Sequence, residues 1–170
     1  MRVDFLSEEN ISLHKEYVRQ MRLRYSILES SIPSLSGAHV RDLYNLRLTK
    51  KDRNDALELL SDITLHDIYF SSFCEQKNVR CETVASAYGS EPAFLNHLFA
   101  LAKKTKFGFL IVDGNAGAHV VTDFISAFSN TDPVLAIDLC EHAYFMDYQF
   151  DRDSYLVNCL SYLDLTKLQQ

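Results

Sequence analysis

The spacing of apolar residues changes near position 107, and this change restricts the chain to a fold that combines helices with a sheet. From Ile11 to Met21, the residues on one side of a helix recur every three or four positions. Short apolar runs at residues 107–113, 119–122 and 133–140 have instead the length and composition of strands. Helices, then a few antiparallel strands, then a helix are the order of an α+β fold.

Signals for helix starts support this order. Ser7 and Ser90 each stand before a segment of helical character, where a hydroxyl side chain caps free backbone N–H groups. A second long helix is predicted from about Thr49, and a final helix at residues 152–165. Residues 74–89 have no clear period, and we expect them to form an irregular connection.

Composition limits the classes of function. The chain has 170 residues, 47% of them hydrophobic, which is enough for a compact domain with its own core. Its net charge of −6 argues against nucleic acid as the main partner. No window reaches the roughly 18 apolar residues of a membrane span, so we expect no membrane partner. The four cysteines form no Cys-x-x-Cys pair, which predicts reduced thiols in a cytoplasmic protein.

A carboxylate and an imidazole stand four residues apart where the last apolar run ends. These are Asp138 and His142. A buried acid or imidazole is costly unless a partner compensates it, and a metal ion is one such partner. A single Asp at a strand end is more often a turn residue, so a metal site needs further ligands.

The residues around Asp138 resemble a known metal-binding signature. The segment Asp138-Leu-Cys-Glu-His-Ala-Tyr144 is similar to the Asp-x-Trp-Glu-His-Ala-Tyr motif of the iron/manganese superoxide dismutase family. Asp147-Tyr148, Arg152 and Tyr155-Leu156 continue the similarity with the family's spacing.

This resemblance implies an architecture and an activity. It implies an N-terminal helical hairpin domain at residues 1–86. A C-terminal domain at residues 87–170 would hold a three-stranded antiparallel sheet flanked by helices. The implied activity is the conversion of superoxide to oxygen and hydrogen peroxide by one Fe or Mn ion per subunit. The sequence does not choose between the two metals, because their discrimination depends on residues around the ligands.

The family adds one His ligand from each of its two N-terminal helices. His66 matches the ligand of the second helix, and His14 matches that of the first with ungapped upstream spacing. An alternative register places Glu9 at the first ligand position. The preferred set is therefore His14, His66, Asp138 and His142. The other histidines match no ligand position; they are His39, His97 and His119.

Several residues depart from the family pattern. The chain contains no Trp, and Cys140 stands where the signature has one. In the preferred register Arg22 replaces the Tyr that lies eight residues after the first ligand, and Val18 replaces a His between them. Phe145 replaces a Tyr that reaches across the dimer to that His. Both residues of one contact between subunits are therefore absent together.

Three further residues are candidates for catalysis. Asp62, four residues before His66, stands at one of the places where the family keeps a Gln that hydrogen-bonds the metal-bound solvent. Arg22 either belongs to an exposed cationic helix face or draws a small anion such as superoxide to the entrance. Glu141 is retained, and in the family it bonds a His ligand of the partner subunit, which implies a homodimer.

Three functions follow, in descending order of support. The first is a metal-dependent superoxide dismutase. The second is a metal-binding relative with other redox chemistry, suggested by the altered Tyr, Gln and Trp positions. The third is a non-enzymatic interaction module of the same fold, which the acidic charge and the retained ligands argue against.

Overall fold

A computed structural model describes residues 4–75 and 81–168. Within the described residues the elements are α1 Glu8–Ser31, α2 Lys50–Ser71, α3 Glu82–Tyr88, α4 Glu91–Ala102, β1 Phe109–Asp113, β2 Ala118–Val121, β3 Pro133–Asp138, α5 Phe145–Tyr148 and α6 Arg152–Ser161. These elements are joined by short connections and 3-10 turns, and the strands form one antiparallel sheet in the order β2-β1-β3. The predicted α+β architecture is confirmed.

The two long helices, α1 and α2, pack against each other. Their contact includes a small apolar cluster of Val18, Met21 and Ile63. The predicted cap at the start of α1 is confirmed, because the Ser7 side chain accepts a hydrogen bond from a backbone N–H group in the first turn. Thr49 caps α2 in the same way. Among the described residues, no helix is long and apolar enough to cross a membrane.

The sheet separates two apolar clusters, because alternate side chains of a strand point to opposite faces. Leu110 of β1 and Ile137 of β3 belong to a cluster that includes residues of α4 and α6. Phe109 and Ala136 face the other way, into a cluster with α2. In the β1–β3 register Phe109 lies opposite Asp138. The end of β3 is thereby held beside α2, the helix that carries His66.

The connection predicted at residues 74–89 contains a helix that the sequence pattern missed. Residues 76–80 of that stretch lie outside the described part of the chain, but α3 follows them directly. Val84 is the one buried residue of α3, so the helix has no repeating apolar series to detect. Gly89 ends it with a φ of +79°. β1, β3 and the last helix are each at least two residues shorter than predicted, while β2 has the predicted length and begins one residue earlier.

Ser72 ties the end of α2 to β3. Its hydroxyl accepts a hydrogen bond from the backbone N–H of Ala136 at 2.8 Å and donates one to a carbonyl of α2. Ser72 is fully buried. Ser72→Ala leaves the Ala136 N–H without its partner, so we expect the free energy of unfolding to fall by about 1–3 kcal/mol. Ser71→Ala, at the exposed neighbouring position, is the matched control.

Urea titration followed by circular dichroism measures this difference. Equal midpoints for Ser72→Ala and Ser71→Ala would show that the α2–β3 bond does not contribute to stability.

Candidate metal centre

Four side chains from separate parts of the chain converge in the structure. His14 comes from α1, His66 from α2, Asp138 from the end of β3, and His142 from the 3-10 turn Glu141–Ala143. One ligand atom of each lies within 4.8 Å of all the others. The distances from Asp138 Oδ2 are 2.8 Å to His142 Nε2, 3.2 Å to His14 Nε2 and 3.5 Å to His66 Nε2. The structure thus brings the four predicted ligand residues to one point.

Hydrogen bonds from outside the cluster orient its members. His66 Nδ1 lies 2.8 Å from the backbone carbonyl of Asp62; if it donates there, Nε2 of the neutral ring keeps its lone pair for the cluster. Asp138 Oδ1 accepts from the backbone N–H of Cys140 at 2.8 Å, so Oδ2 is the oxygen that faces the imidazoles. The Tyr155 hydroxyl donates to the backbone carbonyl of Asp138 at 2.9 Å.

The ligand atoms are close together without satisfying one another. His14 Nε2 and Asp138 Oδ2 are both buried and, among the described atoms, neither has a hydrogen-bond partner. Nitrogen and oxygen ligands held at about 2.0–2.2 Å from one ion lie about 3.0–3.5 Å apart, close to the separations in this cluster. Imidazole suits iron, and carboxylate suits manganese. The residues therefore fit a single transition-metal ion, and Fe and Mn are among the metals that such ligands can hold.

Burial and charge act against each other at this centre. Burial alone raises the pKa of Asp138, but the three surrounding imidazoles outweigh it and hold the pKa well below its usual range. Burial lowers the pKa of His14, and Asp138 only partly restores it. An ionised Asp138 and a neutral His14 are in the protonation states that bind a cation. At His66 burial also lowers the pKa, but the carboxylates of Asp138 and Asp62 outweigh it and raise the pKa to about 10, so a cation at the cluster must displace a proton from that ring.

The three predicted catalytic residues lie at different distances from the cluster. Asp62 is buried beside it, with Oδ1 3.2 Å from Nδ1 of His66. Glu141 is exposed and borders a surface depression next to His142. The structure does not bring Arg22 to the cluster, because its half-exposed guanidinium pairs with Asp67 of α2. A role for Arg22 at the entrance stays a prediction.

The structure also distinguishes between the two candidates for the first ligand, His14 and Glu9. His14 is 2% exposed and lies in the cluster, whereas Glu9 is exposed on the first turn of α1 and lies outside it. His119 is exposed on β2, away from the four.

Tyr17 lies against the cluster, although sequence reasoning assigned it no role in the preferred register. Its ring centroid is 4.6 Å from that of His142 and 5.5 Å from that of His66. The sequence could have predicted this position, because Tyr17 follows His14 by three residues and residues at this spacing lie on the same face of a helix.

The segment from residue 76 to residue 170 matches the sequence model of the C-terminal domain of iron/manganese superoxide dismutases. This match covers more than half of the chain. The chain belongs to the iron/manganese superoxide dismutase family. No curated protein matches it. The matched segment contains Asp138 and His142, while His14 and His66 precede it, so the convergence of all four is an observation of the structure.

Metal should stabilise the fold, since a ligand that binds only the folded state adds to the free energy of unfolding. At a free Mn(II) concentration of 100 times Kd, we expect a gain of about 2.7 kcal/mol over the chelated protein. His14→Ala should remove most of this gain, and His119→Ala should keep it. Thermal unfolding with and without Mn(II) measures the effect; an equal gain in His14→Ala and the wild type would exclude His14 as a ligand.

Proposed function

We propose that this chain is a superoxide dismutase that uses one Fe or Mn ion, bound by His14, His66, Asp138 and His142. The observation that carries the proposal is the cluster of four nitrogen and oxygen ligands in a chain of this family. A redox metal held by these residues would supply one-electron chemistry, by which one superoxide is oxidised to oxygen and a second is reduced, with two protons, to hydrogen peroxide. A metal-binding relative with other redox chemistry is the alternative.

The residues of the chain would orient the metal ligands, provide a negative charge and exclude bulk water from the site. The Asp138 carboxylate is fully buried, so it offers the metal a full negative charge in a site from which bulk water is excluded. His66 is oriented by its contact with the Asp62 carbonyl. His142 is the most exposed of the four, with 34% of its side chain accessible.

Asp62 is the proposed proton acceptor next to the metal. Its side chain lines a cavity of about 200 Å³ that His66 and His142 also border. Oδ1 of Asp62 is buried and, within the described part of the chain, makes no hydrogen bond. A carboxylate 3.2 Å from Nδ1 of a metal ligand can orient that ligand, and it can accept and hold a proton at Oδ1.

We propose a homodimer whose contact surface is the depression beside His142. Exposed apolar side chains border it: Leu13 at 56%, Phe145 at 47% and Met146 at 45% exposure. Glu141 lies at the same depression and would meet the partner's side of the interface. An apolar patch with a carboxylate at its edge is typical of an association surface.

We also propose two structural domains, residues 1–86 and 87–170, each of which supplies two of the four ligands. A cytoplasmic location is a further proposal, supported by the thiols of Cys81 and Cys159, which are buried and not in disulfides.

Activity and metal content together test the proposed function. The wild-type protein loaded with Fe or Mn should dismutate superoxide. His66→Ala should lose both metal and activity. Asp62→Asn should keep the metal and lose activity about 10- to 100-fold, because it changes a group that contacts a ligand and not the ligand itself. His119→Ala is the control. Elemental analysis and a superoxide-consumption assay give the two values; a fully loaded wild type without dismutation would favour the alternative redox function.

The proposed dimer has its own test. Phe145→Glu places a charge in the apolar depression, and we expect it to shift the mass from twice 19.5 kDa to 19.5 kDa. Ile27→Glu changes an apolar residue of α1 that lies outside the depression and is more exposed than Phe145, 63% against 47%, and it should leave the dimer intact. Light scattering after size exclusion measures both. A monomeric wild type would contradict the proposed interface.

A further inference from the structure

A groove between α1 and α2 carries an excess of negative charge. It has a volume of about 600 Å³ and shares no residue with the depression at Phe145. Among the described residues, its lining includes three carboxylates of α2, those of Asp55, Glu58 and Asp62, and one guanidinium, that of Arg24 on α1. The groove therefore favours a cationic ligand over a small anion.

The three carboxylates form a row along α2. They are separated by three and by four residues, and side chains at these spacings lie on one face of a helix. With a rise of about 1.5 Å per residue, their positions are about 4.5 Å and about 6 Å apart along the helix axis. They do not belong to the group of described residues that could hold a metal ion. The row therefore suits a ligand that carries several positive charges in a line.

Asp62 gives independent evidence for a bound group at one end of this row. It is 8% exposed, and its Oδ1 is buried and, within the described part of the chain, makes no hydrogen bond. Nδ1 of His66 lies 3.2 Å from Oδ1 but is directed at the backbone carbonyl of Asp62. A buried carboxylate without a hydrogen bond is costly, and an ammonium group supplies both a donor and the opposite charge. Since Asp62 lines the groove, we expect a positive end of the ligand there.

The remaining walls of the groove are mostly apolar, and part of this apolar surface is exposed. Ile27 is 63% exposed and Phe107 is 53% exposed. The rings of Phe107 and Phe124 have centroids 5.9 Å apart and lie at the end that the groove shares with the cavity beside His66, and aromatic faces attract ammonium groups. Methylene chains between ammonium groups would cover the other apolar side chains. The apolar lining residues are Met21, Ile27, Leu28, Leu59, Phe107 and Phe124.

We propose that this groove binds a linear aliphatic polyamine, with ammonium groups at Asp62, Glu58 and Asp55 and methylene chains on the apolar walls. A triamine whose nitrogens are separated by three and by four methylene groups has a spacing similar to that of the acids. The volume of the groove lies in the range of small-molecule sites, which favours such a ligand over a basic peptide. The inference goes beyond the proposed function and requires no metal, although a ligand at Asp62 would occupy the carboxylate to which that function assigns a proton.

Isothermal titration calorimetry of the whole chain with spermidine, at low salt, measures this binding. Spermidine should bind more tightly than 1,4-diaminobutane, and 1,4-diaminobutane more tightly than butylamine, by about 2- to 5-fold for each added charge. Asp62→Asn should raise the Kd for spermidine about 10-fold, and Glu58→Gln should raise it about 2- to 5-fold. The effect of Asp55→Asn should be smaller, because Asp55 already pairs with Lys51 at 2.8 Å.

Arg24→Gln separates an effect of charge from damage to the fold. It removes the opposing cation of the groove, so it should lower the Kd about 2- to 5-fold, whereas a misfolded groove would raise it. Glu9→Gln is the matched control, because it removes one exposed carboxylate outside the groove and should leave the Kd unchanged.

Four results would overturn the inference. Equal Kd values for spermidine and butylamine would exclude the row of acids, and equal changes in Glu58→Gln and Glu9→Gln would show a general effect of charge. A higher Kd in a folded Arg24→Gln would contradict the charge argument. Tighter binding of tetralysine than of spermidine, with the same dependence on Glu58, would identify a peptide site instead. Since the binding needs no metal, its failure would leave the proposed function standing, and a protein that takes up no metal would leave this inference standing.

Discussion

The fully buried carboxylate of Asp138 is the group on which the arrangement of this molecule depends. Removing a carboxylate from water costs several kcal/mol unless its surroundings compensate it. Here a backbone N–H compensates one oxygen, and the Nε2 atoms of three imidazoles lie within 3.5 Å of the other, where a shared cation would complete the compensation. The imidazoles belong to α1, α2 and the turn after β3. The charge of one side chain therefore links elements that are far apart in sequence.

The sheet holds this carboxylate in place through contacts that are mostly not to the imidazoles. Gly108 precedes β1 with a φ of +91°, and a Cβ there would lie 2.0 Å from the Val121 carbonyl oxygen, so no other residue fits without movement. The Gly108 N–H also lies 3.3 Å from the Cys140 sulfur. Tyr155 bonds the carbonyl of Asp138 from α6 and the hydroxyl of Tyr69 from α2. The ligand is thus fixed by packing on both faces of the sheet, which keeps its geometry independent of the surface.

The sequence predicts the parts of this arrangement that repeat or match a motif. The strands and the long helices follow from apolar period, and Asp138 and His142 from their spacing. Tyr17 was given no role because the preferred register matched Arg22, and not Tyr17, with the Tyr of the family. Each residue of an α-helix is rotated by about 100° around the helix axis relative to the one before it. Viewed along the axis of α1, the side chain of Tyr17 therefore lies about 60° to one side of that of His14, and the side chain of Arg22 about 80° to the other side. Which of the two side chains faces the cluster depends on packing. The guanidinium of Arg22 is held away from the cluster by an ion pair with Asp67 of α2, and the spacing of residues in the sequence does not predict this ion pair.

The absence of Trp, and of the Trp at position 140 in particular, affects the cavity that lies beside His66 and His142. An indole at position 140 would be far larger than the thiol found there, and it would project into the cavity that Cys140 now lines. Burial raises the pKa of Cys140 to about 12, so the thiol is neutral and adds no charge beside Asp138. Phe107 is 53% exposed at the same opening. Phe109 of β1 contacts His66, with ring centroids 4.9 Å apart, while Tyr17 of α1 contacts both His66 and His142. Since a thiol stands at position 140 in place of an indole, the space beside the two imidazoles stays open, and these two rings border it from the sheet and from the first helix.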